Sequence, residues 1–110
     1  MSRLYDAFST VKSEWEFDNF LADLCTPSEI KALRERWKIA DMLYTTNLSQ
    51  ADIAAKLGVS VTTVTRVARF LYTEKFGGYA NAFKLIYPKR AAKLAKASGK
   101  ISAASRIHHA

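Results

Sequence analysis

A chain of 110 residues, 49% of them hydrophobic and 25% charged, has room for one globular domain with a modest core, so part of its stability is expected from a partner subunit. One cysteine excludes an intrachain disulfide. Two adjacent histidines near the C-terminus, no His/Cys/Asp/Glu set at metal-ligand spacing and no glycine-rich phosphate loop leave an enzyme, a metal site or a cofactor without visible machinery. A formal charge of +7 suits an anionic partner, and with no apolar run fit for a bilayer span or a signal h-region the chain reads as a soluble, cytoplasmic protein with no membrane.

The first helical pattern is Leu4, Tyr5, Phe8 and Val11. Ser13-Glu14-Trp15-Glu16 is a capping box, and Phe17, Phe20, Leu21 and Leu24 follow at the offsets of an amphipathic helix. Thr26-Pro27-Ser28-Glu29 is a denser start signal, because Thr can cap, Pro suits the first helical position and Glu can reach back to the cap amide. Cys25 before this cap and Ile30 at the fourth helical position have the spacing of a hydrophobic staple, so Cys25 reads as a small packed residue and not a nucleophile. This helix is predicted to reach about Tyr44. Ile30, Leu33, Trp37, Ala40 and Tyr44 form its apolar stripe, which Ile39, Met42 and Leu43 widen toward contacts on more than one side.

The stretch LSQADIAAKLGVSVTTVTRVARFL uses the same grammar twice. Leu48, the cap Ser49, Asp52 and Ile53 are echoed by Val59, the cap Ser60, Thr63 and Val64. Gly58 between them supplies the left-handed residue that a tight turn needs. Ile53, Leu57, Val59, Val64 and Val67 would fill the space between the two helices, with Ala54 small enough for a close crossing. This is the spacing of a helix-turn-helix over residues 49–72.

Outside that miniature core stand Ser60, Val61, Thr62, Thr65, Arg66 and Arg69. Short hydroxyls and methyls at a helix start can approach base edges and thymine methyls in a major groove, with Arg farther along reaching phosphate or guanine. The competing reading is a helical hairpin packed on protein, or a solvated Thr-rich face.

Residues 1–83 hold ten basic and ten acidic side chains, whereas residues 84–110 hold Lys84, Lys89, Arg90, Lys93, Lys96, Lys100 and Arg106 and no acid. The excess charge therefore belongs to the end of the chain. Residues 88–110 have few large aliphatics and read as a basic tail, disordered alone, with a short helix from about Lys89 to Ser98 ending at Gly99 on DNA. Lys89, Arg90, Lys93, Lys96, Lys100 and Arg106 are the candidate phosphate contacts.

The run LCTPSEIKALRERWKIADML followed by LSQADIAAKLGVSVTTVTRVARFL resembles the tryptophan repressor superfamily. FDNFLADLCTPSEI and GGYANAFKL look closer to its YerC-like branch. The resemblance covers roughly residues 13–86 within a helical domain of residues 1–87. It implies an all-α helical bundle, an interlocked homodimer, and a reading head placed in a major groove of double-stranded DNA. By matching motif positions it adds Gln50 and Thr63 to the DNA face of Ser60, Val61, Thr62, Thr65, Arg66 and Arg69, and Lys56 is a further local cation beside them.

The same resemblance places an effector pocket at Thr26, Arg36, Arg66, Val67 and Phe70. Arg36 and Arg66 match the two arginines that hold an indole ring in tryptophan-responsive members, and Thr26 a threonine near the ligand amino group. Val67 stands where those members have glycine and Phe70 where they have serine, so tryptophan is not expected as the effector. The function implied is a repressor-like, sequence-specific transcriptional regulator reading a palindromic operator. An architectural or replication-associated DNA binder with the same head and a basic tail is the alternative.

Overall fold

The computed structural model describes residues 1–102, with side chains as far as residue 97. These residues form seven α-helices: α1 (Leu4–Ser9), α2 (Glu14–Leu24), α3 (Pro27–Thr45), α4 (Gln50–Leu57), α5 (Val61–Tyr72), α6 (Gly78–Ile86) and α7 (Pro88–Ser102). The chain divides into two compact units, Met1–Glu35 and Arg36–Ala110.

In the N-terminal unit the start signals are realised as hydrogen bonds. The Ser13 hydroxyl accepts from the Glu16 amide at 3.1 Å, while the Glu16 carboxylate passes over the cap and accepts from the Lys12 amide at 2.8 Å. At α3 the box is reciprocal: Thr26 Oγ1 accepts from the Glu29 amide at 3.2 Å and Glu29 Oε1 accepts from the Thr26 amide at 2.8 Å. That bond and the hydroxyl hold the Glu29 carboxyl below its ordinary range. Phe8 and Phe20 meet edge to face at 5.2 Å. Cys25 and Ile30 are both half-buried and line one groove with Ala22 and Pro27, as a staple requires. Leu21 alone in this unit is buried, so little of its apolar surface is covered within one chain.

The C-terminal unit contains the core. Ile39 and Ala40 of α3, Ile53 and Ala54 of α4, Val64, Val67 and Leu71 of α5, and Phe83 of α6 form one buried cluster, edged by Met42, Leu43, Tyr44, Leu57, Val59, Tyr79 and Tyr87. Each large member contributes about 1.5–3 kcal/mol by leaving water. Phe83 is the centre of an aromatic stack, with Trp37 and Tyr44 each at 4.6 Å and Tyr87 at 6.0 Å between ring centroids. Trp37 is therefore a core-edge aromatic, as its place on the α3 stripe implies. The Tyr72 hydroxyl donates to the Leu43 carbonyl at 3.1 Å, and burial pushes its pKa up.

One helix adds a boundary that the sequence reading left open, and one extends beyond it. The segment GGYANAFKL is helical as α6, entered through Gly77 in the left-handed conformation at φ 70° and without a side-chain cap. The segment read as a disordered tail with a helix to Ser98 is helical from Pro88 to Ser102, and Gly99 does not end it. Two side-chain anchors explain why its first turn holds: Tyr87 Oη donates to Asp41 Oδ1 at 2.7 Å, and Arg90 Nε donates to the Tyr44 carbonyl at 3.1 Å. Pro at the first position and the Ala/Lys content then favour continuation.

Candidate nucleic-acid interface

The head is built by two caps and one glycine. Ser49 Oγ accepts from the Asp52 amide at 3.0 Å to start α4, and Ser60 Oγ accepts from the Thr63 amide at 3.1 Å to start α5. Gly58 ends α4 at φ 69° and ψ 35°, the left-handed region that a side-chain-bearing residue enters at a cost of about 1–2 kcal/mol. The turn brings Ile53 and Ala54 against Val64 and Val67, with Leu57 and Val59 closing the edge, the set expected from spacing.

Burial divides α5 lengthwise. Val64, Val67, Ala68 and Leu71 face the core, whereas Ser60, Val61, Thr62, Thr65, Arg66 and Arg69 are exposed. Val61 keeps 49% of its surface exposed although it is β-branched and apolar, a position suited to meeting a methyl group on a partner. No acidic residue occupies the first turn of α5, in contrast to Glu14 and Glu16 of α2, Glu29 of α3 and Asp52 of α4. Its positive dipole end is thus left for an outside anion.

The other candidate residues do not act as independent groups. Thr63 belongs to the cap, its hydroxyl 2.9 Å from Ser60 Oγ. Thr65 Oγ1 donates to Gln50 Oε1 at 2.7 Å, tying the first residue of α4 to the face of α5. Lys56 is exposed in the last turn of α4. Arg69 is paired with Glu74 at 3.3 Å, so a phosphate must compete with a carboxylate for its guanidinium. Neither that acid nor the Gln50–Thr65 bond was legible in the local pattern.

Beside the head lies an open groove of about 510 Å³, lined by Arg36, Trp37, Arg66, Val67, Phe70, Phe76, Gly78 and Tyr79. It unites four of the five residues expected at an effector site. Thr26 instead caps α3 in the N-terminal unit. Val67 is only 2% exposed and belongs to the core. Phe70 offers its ring to Arg66, whose guanidinium carbon is 5.2 Å from the ring centroid, and Phe76 stacks on Phe70 at 6.3 Å. Phe76, Gly78 and Tyr79 were missed by sequence reasoning, although KFGGYANAF signals an aromatic pair about a glycine turn.

Of the tail cations, Lys89, Lys93 and Lys96 are exposed on α7. Arg90 is half-buried and its Nε donates to the Tyr44 carbonyl at the end of α3, so a phosphate would have to share its guanidinium. The Lys100 side chain and Arg106 lie outside the described residues, as do His108 and His109.

Comparison with known proteins agrees with this geometry. A protein of Xylella fastidiosa named as a Trp operon repressor homolog is 47% identical over 45 residues, 41% of this chain and 49% of its own, so the match spans about half of that relative. YerC of Bacillus subtilis is 34% identical over 71 residues, 64% of this chain and 67% of its own. The crystal structure of a TrpR-like protein from Eubacterium eligens superposes with a TM-score of 0.68 at 35% identity, covering 76% of this chain and 84% of the other. The model of the Trp repressor protein family matches residues 1–85, and the chain belongs to that family.

Proposed function

We propose that this chain is a repressor-like, sequence-specific transcriptional regulator that reads double-stranded DNA through the N-terminal half of α5. The observation that carries the reading is the lengthwise division of α5, which leaves Val61, Thr62 and Thr65 exposed while the opposite side is locked into the core. The family, and the printed name of the Xylella relative, support it. As a homodimer the protein would present two such helices and read a palindrome with half-sites about 34 Å apart, one duplex turn. Thr62 sits at the base edges in this reading, and Arg66 and Lys56 hold the backbone.

Selection of bound sequences from random duplex DNA tests the proposal. A palindromic consensus is expected, and Thr62→Ala is expected to change it, whereas Arg69→Ala lowers affinity evenly across sequences. Uniform coverage without a consensus favours an architectural or replication-associated binder. No duplex retained even at low salt makes the head a protein-interaction module and overturns the reading.

A further inference from the structure

α7 carries a second, directed cationic surface. Lys89, Lys93 and Lys96 recur at i, i+4 and i+7, which places them within about 60° of arc on one side of the helix. All three are exposed. The opposite side holds Ala91, which is half-buried, and no aromatic residue or acid occurs anywhere in the helix. The stripe is roughly 10 Å long at about 1.5 Å per residue.

The start of the helix is latched to α3. The hydroxyl of Tyr87, immediately before α7, donates to Asp41 at 2.7 Å, and the Tyr87 ring stacks on Phe83. Arg90 then delivers its guanidinium to the Tyr44 carbonyl in the last turn of α3. That turn has no basic residue of its own, so Arg90 supplies the cation that a helix C-terminus favours. α3 also contributes Ile39 and Ala40 to the core that holds the α4–α5 head. Latch and head thus share one packed unit.

Resting on the DNA-binding reading above, we propose that α7 is a docked phosphate-binding helix, in which Tyr87 and Arg90 are positioning residues and Lys89, Lys93 and Lys96 contact the backbone of duplex DNA. Charge complementarity selects the occupant: one strand carries a phosphate about every 3.4 Å of axis, so a stripe of this length matches about three phosphates. A lipid surface is the poorer match, because the uncharged side, as far as residue 97, offers alanines and Leu94, and the helix has no aromatic anchor.

The full-length chain is titrated with its selected operator and with a scrambled duplex at several salt concentrations. Lys89→Gln/Lys93→Gln/Lys96→Gln retains good helix formers. It is expected to lower the slope of log affinity against log salt by about 2–3, at about 0.9 per phosphate contact, with operator preference retained. An unchanged slope overturns the proposal while leaving the reading head intact, as does loss of binding to phosphatidylserine vesicles with the DNA slope unaltered. No duplex binding by the unaltered chain overturns both.

A second measurement separates a docked helix from a loose basic tail. An iron–EDTA group on Ala92→Cys, in a Cys25→Ser background, is expected to cut the operator within a few nucleotides of one position. Tyr87→Phe/Arg90→Gln is expected to spread those cuts. Equally spread cutting in both proteins overturns the positioning role.

Discussion

The Thr65 hydroxyl donates to Gln50 Oε1 at 2.7 Å, joining two residues of the candidate DNA face that lie fifteen positions apart in sequence. With its carbonyl held by Thr65, the Gln50 amide has its two N–H donors left for an outside acceptor. Gln50→Ala and Thr65→Val are therefore expected to be coupled in DNA affinity by about 0.5–1.5 kcal/mol in a double-mutant cycle. Additive losses would mean that each residue meets DNA, or solvent, on its own.

Gly58 sits at φ 69° with nothing within 4 Å of the place a Cβ would take. Gly58→Ala therefore meets no clash, and its cost is backbone strain alone, about 1–2 kcal/mol. A lower denaturant midpoint with an unchanged unfolding slope is the expected result. A neutral or stabilising substitution would show that the turn relaxes out of the left-handed region.

The helices whose starts were most legible, α2 to α5, begin with a polar cap, whereas α1 was legible from its period alone and α6 has no side-chain cap. Ser13, Thr26, Ser49 and Ser60 announce α2 to α5 because a capping side chain and its amide are three residues apart, within reach of a local reading. α6 starts at Gly77 with no capping side chain, and what makes it worth forming is Phe83, buried against Trp37 and Tyr44 from far upstream in the chain, with Tyr79 beside it against Trp37. α7 was undervalued for the same reason. Its composition has few large aliphatics, but its anchors reach Asp41 and Tyr44, 46 positions away from Tyr87 and Arg90 respectively. The exposed face of α5 was legible from its period, whereas the pairing of Arg69 with Glu74 and of Gln50 with Thr65 depends on where the helix ends and crossings fall.

The groove beside the head is partly filled by the chain itself. Phe70 takes the cation of Arg66 on its ring, and Val67 keeps its side chain in the core beneath. Free tryptophan is expected to leave operator affinity unchanged and to give no saturable heat in calorimetry. Stoichiometric binding at micromolar tryptophan would require Phe70 to swing out, and sinks this expectation.

Glu29 links the start of α3 to pH. Its carboxylate accepts the Thr26 amide hydrogen bond, which together with the Thr26 hydroxyl lowers its folded pKa. A depressed folded pKa means that the contribution is present above the ordinary glutamate range and is lost as pH falls through the folded value. Stability is expected to decline on acidification, and Glu29→Gln to flatten part of that decline. Asp6 has the same sign through the Arg3 amide, so Asp6→Asn serves as the parallel measurement. Identical acid profiles for the unaltered chain and both variants would show that neither cap is felt in global stability.

The N-terminal unit leaves much apolar surface exposed in the single chain, which motivates a test for a dimer. Leu4, Tyr5, Phe8, Trp15, Phe17, Leu24 and Leu33 are all exposed, and Leu21 is the one buried residue of the unit. The apolar area these side chains leave in water would contribute about 25 cal/mol per Å² if a second copy covered it. Stability is therefore expected to rise with protein concentration, because unfolding separates the subunits. Trp15 makes the sharpest test, being 76% exposed in one chain. If it faces solvent, Trp15→Glu should change stability by no more than about 0.5 kcal/mol and leave sedimentation unaltered. If it packs against a second copy, the same substitution costs several kcal/mol and shifts a micromolar sample from dimer toward monomer. A folded monomer of the unaltered chain at micromolar concentration would remove the dimer, and with it the palindromic operator.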